Sequence, residues 1–199
     1  MNSSVVYYTD GRLKKSIADY CHKNLLGVLP EGMRIIEIYQ GEDVKRSHKS
    51  MINNILTGVR VCNTEFVYLA EHDILYPPDY FIDTEYPNSF MVTMGGYYLD
   101  RRGYYKRNGR PLSAFSGRKA AWIYFLEGCL EEIETRGKLK WCEPNARDYS
   151  IAMRLMSVPY VDIRHGQNFT GGRNGNKYRE TIPYWKRAKK LWEELGCTA

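Results

Sequence analysis

Residues 5–75 alternate between short apolar runs and longer segments in which apolar side chains recur every three or four positions. The short runs, at 5–9, at 34–39 and from 65 onward, are rich in β-branched and aromatic residues and predict strands. The longer segments, at 13–26 and 46–62, carry the apolar stripe of amphipathic helices. This order of strand, helix, strand, helix and strand predicts a doubly wound α/β sheet with right-handed crossovers.

The strand that begins at residue 65 ends in two carboxylates, Glu71 and Asp73, before Pro77 and Pro78 stop the pairing. Because side chains two apart in an extended segment point to the same side, Glu71 and Asp73 are expected to converge at the edge of the sheet. Open α/β sheets bind their ligands at this edge. Two oxygen donors there suit Mg²⁺ or Mn²⁺ bridging a diphosphate, whereas the simpler interpretation is a solvated acidic turn.

The second half of the chain predicts further strands and helices around a basic, aromatic ribbon. Asn108-Gly109 is a strong turn signal, so residues 97–112 are expected to form an exposed hairpin. The other expected elements are strands at 90–94, 139–141 and 158–163, and helices at 116–134, from Pro144 through 149–156, and at 180–195. We therefore expect one α/β domain over residues 1–199, a mixed sheet flanked by helices, with an inserted basic hairpin and a C-terminal helix packed on it.

The composition indicates which kinds of partner the protein binds and in which cellular compartment it is expected. The formal net charge of +6 favours an anionic partner such as a nucleotide, a nucleic acid or an acidic membrane. The five cysteines contain no Cys-x-x-Cys pair, which argues against a zinc knuckle or a disulfide framework. The chain shows no signal peptide, no transmembrane segment and no P-loop motif, so a cytoplasmic location is the expectation. The oligomeric state stays open.

Four features that bear chemistry follow one another along the chain. A carboxylate pair ends the third strand, and an acidic cluster from Glu143 to Asp148 opens a late helix. His165 then ends the final strand, and a glycine- and asparagine-rich loop with Arg173 and Lys177 follows it. This order resembles the GT-A glycosyltransferases, most nearly their family 2-like inverting members, over residues 5–173.

The resemblance implies a metal-dependent sugar transferase. Asp73 and His165, together with Glu71, would hold Mn²⁺ or Mg²⁺, and the ion would stabilise charge on the departing diphosphate. Glu71 stands where the family's Asp-x-Asp motif begins. Asp148 takes the position of the catalytic base, and Glu143 is the alternative because the usual contiguous acidic pair is interrupted.

The resemblance also implies a GT-A-like domain that binds a nucleotide sugar, a UDP-sugar in the first instance, and an acceptor hydroxyl. The expected nucleotide contacts are Thr9, Asp10, Gln40, Lys49, Gly172 and Arg173. The expected contacts to the sugar or the acceptor are Ser113, Ser116, Gly117, Arg101, Arg102 and Arg107.

Two other functions compete with this one. The ribbon at 97–110 interleaves aromatic and basic residues, as a non-catalytic nucleic-acid-binding module would. The two ideas combine in a transferase whose acceptor is a hydroxymethylated base in DNA. A third alternative is a membrane-surface enzyme that uses the C-terminal helix, but Glu180, Glu193 and Glu194 dilute its positive charge and favour packing on the domain.

Overall fold

Over the residues that the structure describes, the chain forms two β-sheets, four α-helices and one short 3-10 helix, Leu112–Ala114. The computed structural model describes residues 3–41, 43–82, 88–107, 109–140, 142–166 and 177–197. The strands are β1 (Ser3–Thr9), β2 (Arg34–Tyr39), β3 (Phe66–Glu71), β4 (Ile74–Leu75), β5 (Phe90–Met94), β6 (Tyr97–Asp100), β7 (Gly103–Lys106), β8 (Phe115–Arg118), β9 (Ile151–Leu155) and β10 (Val161–Ile163). The helices are α1 (Lys15–Val28), α2 (His48–Val61), α3 (Lys119–Arg136) and α4 (Ala188–Glu194).

The larger sheet is mixed, with the strand order β2-β1-β3-β8-β5-β9. β1 runs parallel to both β2 and β3, whereas β8 lies antiparallel between β3 and β5. β9 pairs parallel with β5 at the edge of the sheet. The smaller sheet has the order β4-β10-β6-β7. The predicted α/β class and mixed sheet are confirmed.

Two apolar clusters hold the helices on the sheets. Helices α2 and α3 pack against the larger sheet, and the fully buried Trp122 of α3 donates its Nε1–H to the Val67 carbonyl of β3 at 3.1 Å. Ser47 caps α2 by accepting a hydrogen bond from the Ser50 amide. The smaller cluster joins α1 and α4 to the smaller sheet through Ile17, Cys21, Leu75, Val161, Leu191 and Leu195.

The helix expected at 116–134 begins later than predicted. Residues 115–118 form β8, which fills the slot between β3 and β5, and helix α3 starts only at Lys119. Gly117 lies against the Phe90 ring, where an added Cβ would come within 2.5 Å of it. This strand is specified by two partners that are distant in sequence, so local periodicity could not reveal it.

The helix expected from Pro144 through 149–156 is wrong. Residues 146–148 form a turn, and 151–155 form the edge strand β9. Arg154 points inward, donating a hydrogen bond to the Tyr80 carbonyl at 2.6 Å, while Met153 and Leu155 are exposed. The spacing of apolar residues in this segment is compatible with the period of a helix and with that of a strand. The segment forms a strand because it pairs with β5.

The aromatic ribbon is a shorter and more buried hairpin than expected. β6 and β7 are joined at Arg101 and Arg102, because Asp100 Oδ1 accepts a hydrogen bond from the Arg102 amide at 2.8 Å and so fixes the turn. The chain therefore turns before Asn108-Gly109. Tyr98, Tyr104 and Tyr105 are at most 8% exposed, so these rings are part of the packed interior.

The C-terminal segment is helical only over Ala188–Glu194, not over the expected 180–195. Pro183 has no amide hydrogen, and Tyr184 has a φ of 71°, so a continuous helix does not form there. Residues 139 and 140 of the expected strand at 139–141 are not in a strand. The five cysteines are free thiols. Among the helices described, none has the length and apolarity needed to cross a membrane.

Candidate active site

The candidate site lies where β1 and β3 end side by side. The parallel pairing sets Tyr8 opposite Glu71, so Thr9 and Asp10 leave the sheet beside His72 and Asp73. The amide of Ile163 donates to the Asp73 carbonyl at 2.8 Å, which ties the end of β10 to the same place. His165, two residues further on, therefore reaches the end of β3. This is the edge at which open α/β sheets bind ligands.

Three side chains at this edge form a group that can hold a metal ion. One ligand atom each from His72, Asp73 and His165 lies within 4.8 Å of the others. His165 Nε2 is 3.3 Å from Asp73 Oδ2, and His72 Nδ1 is 2.5 Å from the Thr9 hydroxyl. A hydroxyl on the second ring nitrogen fixes the orientation of a ligating imidazole. Asp73 and His165 thus converge as the motifs predicted.

Glu71 does not join this group. Its carboxylate accepts a hydrogen bond from the Tyr8 hydroxyl, and its amide donates to the Tyr76 hydroxyl at 3.0 Å. Burial, reinforced by repulsion from Asp73, raises the pKa of Glu71. Glu71 and Asp73 do lie at the same edge and interact electrostatically, as expected, but the hydrogen bond with Tyr8 holds Glu71 outside the group of His72, Asp73 and His165. A role of Glu71 as a metal ligand stays a prediction.

The electrostatics of Asp73 differ from those of Glu71. Burial alone would raise the pKa of Asp73, but the hydrogen bond with His165 and the charges of His72, His165 and Arg107 outweigh it and lower the pKa. Asp73 is therefore held as a carboxylate, the form that binds a cation.

A buried set of charges borders the metal group. Arg107 donates a hydrogen bond to Asp162, and their side chains are only 10% and 5% exposed. Arg164 lies 3.7 Å from the other oxygen of Asp162. Both guanidinium groups lie over the Tyr98 ring, at 4.7 and 5.0 Å from its centroid. Two cations against one carboxylate leave positive charge beside the metal group.

These groups line one cleft, which we call the inner cavity. Its lining comprises Tyr8, Thr9, Asp10, Gln40, Arg46, Ser47, His48, Ser50, Met51, Asn54, Glu71, His72, Asp73, Arg107, Pro111, Leu112, Cys142, Glu143, Asp162 and Arg164. Its volume of about 140 Å³ is below the roughly 300–1,000 Å³ of typical ligand pockets. A whole nucleotide sugar would therefore extend beyond it.

The ends of β1 and β2 form the far side of the inner cavity. Gln40 is buried and accepts a hydrogen bond from Asn54 Nδ2 at 3.0 Å through its carbonyl oxygen. Its amide nitrogen Nε2 is buried without a partner in the described part of the chain. Asp10 lies 2.9 Å from Arg46 Nε. This side offers an amide donor and polar side chains to a ligand.

Several predicted site residues lie elsewhere. Lys49 forms an exposed ion pair with Glu134 at 3.0 Å and does not line the cavity. Asp148 is exposed and accepts a hydrogen bond from Asn145, whereas Glu143 lines the cavity. Ser113, Ser116 and Gly117 are buried and are not part of either cavity lining, with the last two inside β8. Gly172 and Arg173 fall outside the described residues.

Arg101 and Arg102 line a second cleft, the outer cavity, together with Arg12, Lys14, Ile17, Asp100, Arg164, His165, Gly166, Trp192 and Cys197. Arg164 lines both cavities, and His165 belongs to the metal group, so the two cavities adjoin at these residues.

Sequence reasoning missed three members of the site. His72 was overlooked because the Glu71-His72-Asp73 motif was interpreted only through its two acidic residues. Asp162 sits inside an apolar strand, and a carboxylate in such a run is a signal that could have been used. Arg164 directly precedes His165 in the sequence. Only the pairing of β10 with β6 shows that its guanidinium lies beside Asp162 and over the Tyr98 ring.

Comparisons with known proteins address the fold. No protein-family model matches the chain, and no curated protein matches it. A solved glycosyltransferase involved in the glycosylation of the major capsid of PBCV-1 is similar, with a TM-score of 0.54, 8% identity, and coverage of 80% of this chain and 91% of that chain. The inositol-1-phosphate CTP transferase from T. maritima shows a weaker similarity, with a TM-score of 0.45, 11% identity, and coverage of 98% and 95%. The chain therefore has a GT-A-like glycosyltransferase fold, as the order of its motifs predicted.

Proposed function

We propose that the protein is an enzyme that transfers a sugar from a nucleoside diphosphate sugar to an acceptor hydroxyl with the help of a divalent metal ion. The observation that carries this proposal is the group of His72, Asp73 and His165 at the carboxyl end of parallel strands. The inner cavity, which His72 and Asp73 line, is also lined by Arg107 and Arg164 and by Gln40, whose amide nitrogen has no partner among the described residues. That combination suits a ligand with a diphosphate and a base.

The donor atoms of the metal group favour Mn²⁺ over Mg²⁺. Two imidazole nitrogens and one carboxylate are a mixed set, which transition metals accept, whereas Mg²⁺ prefers oxygen ligands and several waters. When bound, the ion would supply Lewis-acid stabilisation of the charge that develops on the diphosphate. Arg107 and Arg164, beside the group, would add to that stabilisation through charge-assisted hydrogen bonds.

The base of the donor would lie near the ends of β1 and β2. The unpartnered Nε2 of Gln40 can donate to a carbonyl oxygen, and leaving it unsatisfied in a buried site is costly. Uracil carries two carbonyl oxygens and adenine carries none, so this donor supports a UDP-sugar over an ADP-sugar. Thr9 and Asp10 complete this side of the cavity.

Glu143 is the better candidate for the catalytic base. It lines the inner cavity, whereas Asp148 lies on the exposed turn at 146–148. A carboxylate that takes the proton of the attacking hydroxyl fits a single displacement with inversion at the anomeric carbon, and general-base assistance of this kind is typically worth roughly 10²–10⁴ in rate. The burial of Tyr98, Tyr104 and Tyr105 removes three of the four hairpin tyrosines from the stacking surface that had suggested DNA as the acceptor.

Thermal unfolding with UDP and metal tests the proposal. At 100 times its dissociation constant, UDP should stabilise the protein by about 2.7 kcal/mol, a shift of about 5–10 °C for a chain of this size. The shift should require a divalent metal ion, be smaller with Mg²⁺ than with the same concentration of Mn²⁺, and disappear with EDTA. Asp73→Asn should lose it, and Asp148→Asn, the same change at an exposed site, should keep it.

Binding of UDP by Asp73→Asn with an unchanged dependence on Mn²⁺ would show that the metal group is misassigned. The base is tested separately by acceptor-dependent turnover. Glu143→Gln should lose it while still binding UDP and Mn²⁺, and unchanged turnover would exclude Glu143 as the base.

A further inference from the structure

The outer cavity is large and adjoins the metal group. Its volume is about 620 Å³, within the roughly 300–1,000 Å³ of small-molecule sites. It opens beside His165 and shares Arg164 with the inner cavity. A molecule bound there would lie next to the place where the diphosphate of the donor is proposed to bind.

The lining of the outer cavity is strongly cationic. Five cations, Arg12, Lys14, Arg101, Arg102 and Arg164, line it together with one carboxylate, Asp100. Two further carboxylates, Asp10 and Asp162, lie outside the lining, 3.7 Å from Arg12 and Arg164 respectively, so the lining keeps an excess of positive charge. A concave surface of one sign concentrates ligands of the opposite sign. The charge therefore selects an anion.

Two of these cations are held in place by the fold. Arg102 is bound to Asp100 at 2.8 Å and lies 4.6 Å from the centre of the Tyr178 ring. Lys14 donates to the Gly196 carbonyl, beyond α4. Cations fixed in this way lose less side-chain freedom when a ligand binds.

Trp192 gives a second, independent indication of a ligand. It lines the outer cavity, and its Nε1–H is buried without a hydrogen-bond partner among the residues that the structure describes. A buried indole N–H normally has a partner. An oxygen of a bound molecule would supply one.

We propose that the outer cavity binds the acceptor, and that this acceptor is a small sugar or alcohol carrying a phosphate or a carboxylate. The inference rests on the proposed function. The acceptor's hydroxyl oxygen forms a bond to the anomeric carbon of the donor as the bond from that carbon to the diphosphate breaks. The electron pair leaves with the diphosphate, and the hydroxyl proton passes to the Glu143 carboxylate. A nucleic acid is disfavoured, because three of the four hairpin tyrosines, Tyr98, Tyr104 and Tyr105, are buried and cannot stack on bases.

Calorimetric titration tests the charge of the acceptor. Glucose 6-phosphate, glucuronate, glucose and a short single-stranded oligonucleotide are titrated into the protein saturated with UDP and Mn²⁺. Binding of either charged sugar, with glucose at least tenfold weaker, is expected. The two charged sugars separate phosphate from carboxylate recognition.

Matched variants locate the binding. Arg101→Gln/Arg102→Gln should weaken the charged sugar by about tenfold or more, since one lost charge-assisted hydrogen bond is worth that factor. Arg60→Gln/Arg136→Gln removes the same charge from exposed helix positions and should change nothing.

The outcomes separate the two proposals. Three results would overturn the acceptor inference: equal affinity for glucose and the charged sugars, no binding of the charged sugars, or binding of the oligonucleotide alone. Normal binding of UDP and Mn²⁺ in the same experiment would still support the donor site. Failure of UDP to bind would instead refute the proposed function, and titration of the charged sugars into the protein alone would still decide what the outer cavity selects.

Discussion

Removing Arg107 should destabilise the protein strongly. Its side chain is 10% exposed and its guanidinium is bonded to Asp162. Its charge helps to lower the pKa of Asp73 and opposes the rise that burial causes in the pKa of Glu71. Breaking a buried ion pair from one side costs about 3–5 kcal/mol, because the remaining charge stays buried without compensation. Arg164, 3.7 Å from Asp162, still offers partial compensation. We therefore expect Arg107→Met to cost about 3 kcal/mol, the lower end of that range.

Urea unfolding in EDTA measures this cost without a contribution from bound metal. With an m-value of about 2–3 kcal/mol/M, a loss of about 3 kcal/mol lowers the midpoint by roughly 1–1.5 M. Adding Asp162→Asn to Arg107→Met should restore at least about 1 kcal/mol, because it removes the orphaned charge. Arg60→Met is the control, since Arg60 pairs with Glu127 at half-exposed positions, where ion pairs contribute less than about 1 kcal/mol. If Arg107→Met costs no more than this control, or if the double variant is no more stable than the single one, the reasoning is refuted.

Two further predictions concern packing and titration. Gly117→Ala should lower the free energy of unfolding, measured in urea, by about 1–3 kcal/mol, because the added Cβ would lie 2.5 Å from the Phe90 ring. Gly128→Ala, in open space on α3, should raise the free energy of unfolding by up to about 1 kcal/mol. Equal effects of the two changes would contradict the assigned strand. Burial and, after it, the charge of Glu143 raise the pKa of Cys142 to about 12. Thiol labelling of Cys142 should therefore be slow at pH 8 and become faster as the pH rises toward that value. Glu143→Gln should shift this pH profile to lower pH, and an unshifted profile would show that the two side chains do not interact.

The first three strands and two helices could be read from local pattern alone. The strand predicted at 34–39 agrees with β2 at both ends, and helices α1 and α2 differ from their predicted bounds by about two residues. Each of these elements buries its own apolar face or stripe, so its period appears directly in the sequence. The positions of Asp73 and His165 at strand ends followed from the same pattern.

The rest depended on partners that are distant along the chain. Residues 115–118 and 151–155 became strands because β3 and β5 offered unpaired edges, although the local pattern also fitted helices. The turn at 72–73 placed His72 beside Asp73 and His165, and no strand period predicts side-chain positions beyond the end of a strand.

The sequence by itself determined the α/β class, the parallel strands of the first half and the convergence of Asp73 and His165 at the edge of the sheet. Only the tertiary structure decided the antiparallel insertion of β8, the burial of the hairpin tyrosines, the choice of Glu143 over Asp148 as cavity residue, and the outer cavity between α1, α4 and the hairpin turn. The physical reason is that periodicity records which face of an element is buried, whereas hydrogen-bond pairing and convergence of side chains depend on which surfaces meet after the chain has folded.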